Sequence, residues 1–145
     1  MDKVMTFSVI TPEEKVHEMQ AESITLTTST GEITILPGHV SLVSELKPGF
    51  VTVRNKDEEE LVAISTGLVE VRPNNEVVVL ADTADRADGL DEEAIAKAKN
   101  EAMQIMKEEK NVNEESYARA AAALERELAR ERVVKKKKYR DVGKR

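Results

Sequence analysis

Apolar and polar residues alternate with a period of two through the first half of the chain, up to about residue 84. Short runs rich in Val, Ile and Thr place apolar side chains at every second position: Met5, Phe7 and Val9; Ile24 and Leu26; Val51 and Val53; Val69 and Val71. This period is typical of half-buried β-strands, because successive side chains of a strand point to opposite faces of the sheet. Turn segments such as "TPEE", "LPGH", "KPG" and "RPNNE" separate the runs. The spacing predicts a small sandwich or barrel with an aliphatic core.

The period becomes helical from Asp91 onward. One stripe contains Ile95, Ala98, Ala102 and Ile105, and a second stripe, after "KNVN", contains Tyr117, Ala121, Leu124 and Leu128. Two helices with a short connection predict an antiparallel hairpin, with Asp91 and Asn113 suited to cap the helix N-termini. Both stripes are rich in alanine, which buries little apolar area, so we expect a helical arm that detaches easily.

The two halves predict an α+β fold by segregation, in which an N-terminal antiparallel β sandwich precedes a C-terminal antiparallel two-helix hairpin. We predict a β-sandwich domain over residues 1–84, a linker over residues 85–90, and a helical hairpin with a basic tail over residues 91–145. All four prolines lie at or before residue 73, so no proline interrupts the predicted helices.

Charge is divided unevenly between the two halves. Residues 1–85 hold 6 Lys/Arg and 15 Asp/Glu, a net charge of −9, whereas residues 86–145 hold 16 and 13, a net charge of +3. The basic tail contains "KKKK" at 135–138 but has no interleaved aromatic residues apart from Tyr139. Because the β half is strongly acidic, we expect a frayed, solvated end and no nucleic-acid partner.

No pattern in the chain indicates an active site. The absence of cysteine excludes disulfides, thiolate nucleophiles and cysteine-based zinc sites. His39 has no cysteine, serine elbow or second histidine nearby in sequence, and neither GxxxxGK[ST] nor GxGxxG occurs. The acidic run at 56–60 points its carboxylates to opposite faces of a strand, which favours a solvated hairpin over a metal site. We therefore predict no catalytic residues and no metal.

Three segments match a known family in the order that the two-part architecture requires. They are "GEITILPGH" with "LKPG" downstream, "ISTGLVEVRPNNEVVVLADTADRA" and "YARAAAALERELAR". In these segments, and over nearly its whole length, the chain resembles the epsilon subunit of bacterial F-type ATP synthase, the counterpart of chloroplast epsilon and mitochondrial delta.

The resemblance implies a non-catalytic rotor subunit of the central stalk. Such a subunit couples gamma to the membrane rotor ring, and its C-terminal helices inhibit ATP hydrolysis by contacting alpha and beta. It lies peripherally on the cytoplasmic face of the bacterial plasma membrane, without membrane insertion. Glu32 falls at a position facing the ring and His39 at one near gamma. The candidates for the arm's contacts are Arg119, Arg126, Arg130 and Arg132.

Some members of this family fold the hairpin around ATP, using Ile/Leu-Asp-x-x-Arg-Ala at the start of the first helix. Leu90 and Asp91 match this motif, but Ala94 replaces the arginine and Ile95 the alanine. Arg126 and Arg130 occupy the matching positions on the second helix. We expect no cofactor, and ATP binding that is weak or lost.

The residues alone also leave open a stand-alone adaptor, in which the β domain binds one protein and the helical arm binds another. That alternative predicts a protein without association to a rotary machine.

Overall fold

The computed structural model describes the backbone of residues 4–143 and the side chains of residues 4–138. Ten strands are followed by a 3₁₀ turn and two helices within this range. The strands are β1 Met5–Ile10, β2 Lys15–Ala21, β3 Ser23–Thr28, β4 Gly31–Ile35, β5 Leu42–Leu46, β6 Gly49–Asn55, β7 Glu58–Ile64, β8 Gly67–Arg72, β9 Glu76–Ala81 and β10 Ala84–Arg86. The helices are α1 Glu92–Glu109 and α2 Glu114–Gly143, and the 3₁₀ turn is Ala87–Gly89.

The strands form one sheet that folds over a shared core. Its order is β10-β7-β6-β3-β5-β8-β9-β1-β2, with β4 attached to β3. A single residue pair, Thr28 with Leu46, joins β3 to β5, and the sheet turns there from one layer of the sandwich to the other. The predicted α+β sandwich and hairpin are confirmed. The parallel pairing of β1 with β9 is a departure from the antiparallel pattern that the sequence did not indicate.

The predicted alternation is confirmed in the core between the layers. Every apolar residue named for the strands is buried there, and Phe7, Val9, Ile24 and Val53 are fully inaccessible to solvent. Strand length and period therefore place one continuous aliphatic face inside, where each buried side chain contributes about 1.5–3 kcal/mol.

The acidic run at 56–60 is only partly solvated. Lys56 and Asp57 form the turn, but Glu60 lies on β7 and is half-buried. Its Oε2 lies 2.7 Å from Nε2 of His17 on β2, and its Oε1 accepts a hydrogen bond of 3.3 Å from Arg86. The two atoms are close but form no hydrogen bond with each other. This pair ties β2 to β7 across the sandwich.

A tight reversal follows β4. The His39 N–H donates to the Leu36 carbonyl at 3.1 Å, and Gly38 has φ of 85°. Proline at the second position and a positive φ at the third define a type II turn, which glycine adopts without strain. The Gly38 N–H donates to Oδ1 of Asn75 at 2.7 Å and so fixes this turn to the β8–β9 hairpin.

Both predicted helix caps are present. The Asp91 carboxylate accepts hydrogen bonds from the N–H groups of Glu93 and Ala94 at 2.9 and 3.5 Å. Oδ1 of Asn113 accepts from the Ser116 N–H at 3.1 Å. These bonds satisfy backbone donors that a helix start otherwise leaves free.

The predicted helical stripes are only partly correct. Ile95 and Ala102 of α1 are buried, but Ile105 is 42% exposed. The four residues predicted for the second stripe are only half-buried, and the buried apolar residues of α2 are Ala120, Ala129 and Val133. The prediction failed because α2 packs on α1 and on the sandwich at once, so two neighbours determine its buried face.

The predicted linker and the lysine run at 135–138 both form regular secondary structure. The predicted linker, residues 85–90, contains the end of β10, which pairs with β7, and the 3₁₀ turn. The expected fraying was wrong for the lysines at 135–138, since they lie in α2 and contact other residues. Lys135 and Lys138 are largely exposed, as expected of a solvated end, and the side chains after residue 138 lie outside the described residues. Across the described residues, none of the helices has the length and apolar character required to cross a membrane.

Candidate interaction surfaces of the sandwich and the arm

The helical arm, defined here as α1 and α2, docks on the sandwich through a small second apolar core. Val133 of α2 is 0% exposed and packs with Leu61 and Ala63 on the outer face of β7. Phe50, Ala87 and Leu90 complete this cluster, which is separate from the main core. A cluster of six apolar residues with three buried members is a limited contact, and it stabilises docking by only a few kcal/mol.

Ion pairs surround this apolar contact. Arg130 Nε donates to Asp85 Oδ2 at 2.8 Å, and its Nη1 donates to Glu127 Oε1 at 2.5 Å. Toward the end of α2, Lys137 pairs with Asp88 at 2.6 Å and Lys138 with Glu92 at 2.7 Å. Glu127 is buried, and its pair with Arg130 lies within α2. The pairs with Asp85, Asp88 and Glu92 are partly exposed, so each is worth about 0–1 kcal/mol. These pairs determine where α2 lies on the sandwich more than how tightly it binds there.

A further carboxylate joins the two helices. Glu131 accepts hydrogen bonds from Lys135 and Lys99, both at 3.1 Å. The Lys135 ammonium, followed by that of Lys99, lowers the pKa of Glu131 below its ordinary value. The ionised carboxylate is therefore the form that holds α1 against α2.

The four predicted arginines lie in different environments. Arg119 is exposed and reaches only Glu115 and Ser116 on its own helix, at 3.4 and 3.3 Å. Arg132 donates to the Pro48 carbonyl at 3.3 Å. Arg126 is half-buried and forms no ion pair with the side chains that the structure describes. Arg130, as described above, is engaged by two carboxylates of this chain.

An apolar groove lies on the sheet face away from the arm. Leu68 of β8 and Leu80 of β9 are paired in the sheet, and Leu80 is in register with Ile10 of β1. All three are more than a third exposed and line a shallow groove of about 450 Å³ with Pro12. A row of exposed large apolar residues across three strands is a typical protein-contact surface.

The chain resembles known proteins over both halves. Residues 4–87 match the family model of the ATP synthase delta/epsilon chain β-sandwich domain. The ATP synthase epsilon chain of Herminiimonas arsenicoxydans is 39% identical over 134 residues, which cover 89% of this chain and 91% of that one. The epsilon chain of Bacillus pumilus is 36% identical over 134 residues, covering 92% and 99%. This chain belongs to the ATP synthase epsilon family.

The fold of this epsilon chain also matches a solved assembly. A chain in the cryo-EM structure of the Euglena gracilis mitochondrial ATP synthase, containing OSCP, F1 and the c-ring, aligns with a TM-score of 0.75 and 24% identity. The alignment covers 90% of this chain and 81% of that chain. The likeness extends over sandwich and arm, so both halves share the fold of that chain.

The two residues predicted to contact ring and gamma lie near opposite ends of β4. Glu32 is exposed at the start of β4, whereas His39 is half-buried after the type II turn beyond its end, with its Nδ1 2.7 Å from the Val40 carbonyl oxygen. The turn is fixed to the β8–β9 connection, whereas the apolar groove lies at the opposite ends of β8 and β9. Strands of six residues separate them by about 20 Å, so His39 and the groove form two distinct surfaces.

The residues of the nucleotide motif have other roles in this arm. Leu90 packs in the second apolar core and Asp91 caps α1. A cleft of about 340 Å³ between the helices is lined by Arg126, but Arg130 is held by Asp85 and Glu127. Within the described side chains no group of three or more histidines and carboxylates is arranged to hold a metal ion.

Proposed function

We propose that this epsilon chain is a non-catalytic rotor subunit that couples gamma to the membrane ring and inhibits ATP hydrolysis through its arm. It acts peripherally on the cytoplasmic face of the bacterial plasma membrane. The observation that carries the proposal is the small docking contact of α2, centred on Val133. A contact of this size lets the arm leave the sandwich while the main core stays intact.

The cations assigned to alpha and beta support a switch with two exclusive positions. In the docked arm Arg130 pairs with Asp85 and Glu127, and Lys137 pairs with Asp88. Asp85 and Asp88 lie outside the arm and occupy cations that would otherwise pair with acidic loops of another subunit, whereas Glu127 moves with α2. The arm cations therefore pair either with Asp85 and Asp88 or with acids of alpha and beta.

Two surfaces of the sandwich are assigned to different partners, gamma and the ring. The apolar groove of Ile10, Leu68 and Leu80 suits a stable interface, and we assign it to gamma. The exposed start of β4, which carries Glu32, suits the ring. His39 follows the turn that is fixed to the β8–β9 hairpin, and we assign it to gamma as well. The stand-alone adaptor is not favoured by any feature of the structure.

The test compares two changes with opposite expected effects on ATP hydrolysis by the reconstituted complex. Deleting the residues after 90, or replacing Arg119, Arg126 and Arg130 by alanine, removes the inhibitory contacts and raises hydrolysis. Asp85→Asn weakens docking but keeps every cation of the arm, with Arg130 still beside Glu127 of its own helix, so it lowers hydrolysis. Asp57→Asn removes the same charge from an exposed turn and serves as the matched control.

The triple arginine change removes both the inhibitory contacts and the docking pair of Arg130. The direction in which Asp85→Asn changes the hydrolysis rate is therefore the more informative result. An unchanged rate in the deletion would refute the inhibitory arm. A higher rate in Asp85→Asn would show that docking and inhibition are not exclusive.

A further inference from the structure

A polar cavity lies on the outer face of the sheet, beside the docked α2. It measures about 260 Å³ and is enclosed by β3, β4, β6 and Lys136 of α2. Thr34, Thr25 and Thr52 form a row across its floor, because Thr25 is paired with both of the others in the sheet. The cavity is distinct from the cleft between the helices and from the apolar groove.

One hydroxyl group of this floor has no partner among the described residues. Thr52 is 1% exposed, and its side chain forms no hydrogen bond with the residues that the structure describes. The hydroxyls of Thr25 and Thr34 bond to each other at 2.9 Å. The Thr52 hydroxyl is therefore available to a polar ligand or to water in the cavity.

The cations around the cavity are also incompletely paired. Lys136 lies over the Phe50 ring, 4.7 Å from its centroid, and forms no ion pair among the described side chains, whereas its neighbours Lys135, Lys137 and Lys138 are each paired with a carboxylate. Arg54 uses only its Nε, which donates to Glu59 at 2.8 Å. Its two Nη groups and the Lys136 ammonium remain as donors.

We propose that this cavity binds a small oxyanion of the phosphate class between Lys136, Arg54 and the hydroxyl of Thr52. Ammonium, guanidinium and hydroxyl groups are the donors that such an anion requires. The volume is below the roughly 300–1,000 Å³ typical of sites for larger organic ligands. Glu32 lines the β4 side of the cavity, and its carboxylate opposes the anion.

The site has a consequence for the arm that rests on the proposed function. Lys136 comes from α2, whereas the other ligands come from the sandwich. A bound anion therefore fastens the arm in the docked position, and loss of the anion eases its release. Binding itself needs no other subunit, so it is tested independently of inhibition.

The experiment titrates inorganic phosphate into the isolated full chain at about 150 mM chloride, followed by calorimetry and by amide chemical shifts. Saturable binding with shifts at the threonine row is expected. Thr52→Val keeps the shape and removes the hydroxyl, and Lys136→Met removes the cation. Each weakens binding about tenfold or more, the usual effect of losing a charge-assisted bond.

Two further variants make the result specific. Lys135→Met is the matched control, since its ammonium pairs with Glu131 outside the cavity, and its affinity stays that of the unmodified chain. Glu32→Gln tightens binding, because it removes the opposing charge. Absence of saturable phosphate binding overturns the proposal. So does equal weakening by Lys135→Met, which would indicate general attraction to the basic tail, or unchanged affinity in both Thr52→Val and Lys136→Met.

Discussion

Val133→Ala tests the contact on which arm docking depends. Val133 is fully buried, and the change removes two methyl-sized groups worth about 0.8 kcal/mol each, with a further cost for the cavity they leave. Docking should weaken by about 2 kcal/mol, which corresponds to roughly a 30-fold shift in its equilibrium. The surrounding ion pairs cannot compensate, because each contributes about 0–1 kcal/mol. The main core stays intact, since Val133 is not part of it.

Amide hydrogen exchange measures this shift region by region. A helix released into water frays, because isolated helices are marginally stable, so amides of α2 that exchange through undocking should exchange about 30-fold faster. Amides of the sandwich should keep their rates. Val112→Ala makes the same chemical change at a residue that is 77% exposed, and it should have no effect. Equal exchange of α2 in the Val133 and Val112 variants would refute the reasoning.

Three further predictions concern the sandwich and the hairpin. Gly67→Ala should destabilise β8 against β9 and lower the melting temperature, because the added Cβ would lie 2.1 Å from the Leu80 carbonyl oxygen; an unchanged melting temperature would contradict this. Residues 1–90 alone should unfold cooperatively and bind gamma, since the main core contains no residue of the arm, and a fragment without cooperative unfolding would count against it. Calorimetry should detect weak or no ATP binding to the unmodified chain and a gain in Ala94→Arg/Ile95→Ala; micromolar binding by the unmodified chain would show that the missing cation is supplied elsewhere.

Local patterns predicted what local physics determines. The period of two placed Phe7 and Val53 in the core, and the side chains of Asp91 and Asn113 cap the helices as expected from their positions. Strand alternation and helix caps both depend on residues a few positions apart. They can therefore be predicted from the sequence alone.

Long-range packing produced the features that were missed. The parallel pairing of β1 with β9 joins strands about 70 residues apart, and nothing in either strand encodes its partner. Val133 was overlooked although it follows Ala129 by four residues, the spacing of one helical face. Thr52 and Lys136 meet only because α2 lies across β6, so their shared cavity had no signal in the sequence.

The length of α2 determines how far the arm could extend if the hairpin opened. Its 30 residues at about 1.5 Å each make a rod of roughly 45 Å, while the 18 residues of α1 add about 27 Å. Folded as a hairpin, the two rods lie side by side, and α2 packs against β6 and β7. Straightened, the same residues extend about 70 Å from the sandwich, so a subunit anchored at one level of a large machine can touch a site far above it without any gain in mass.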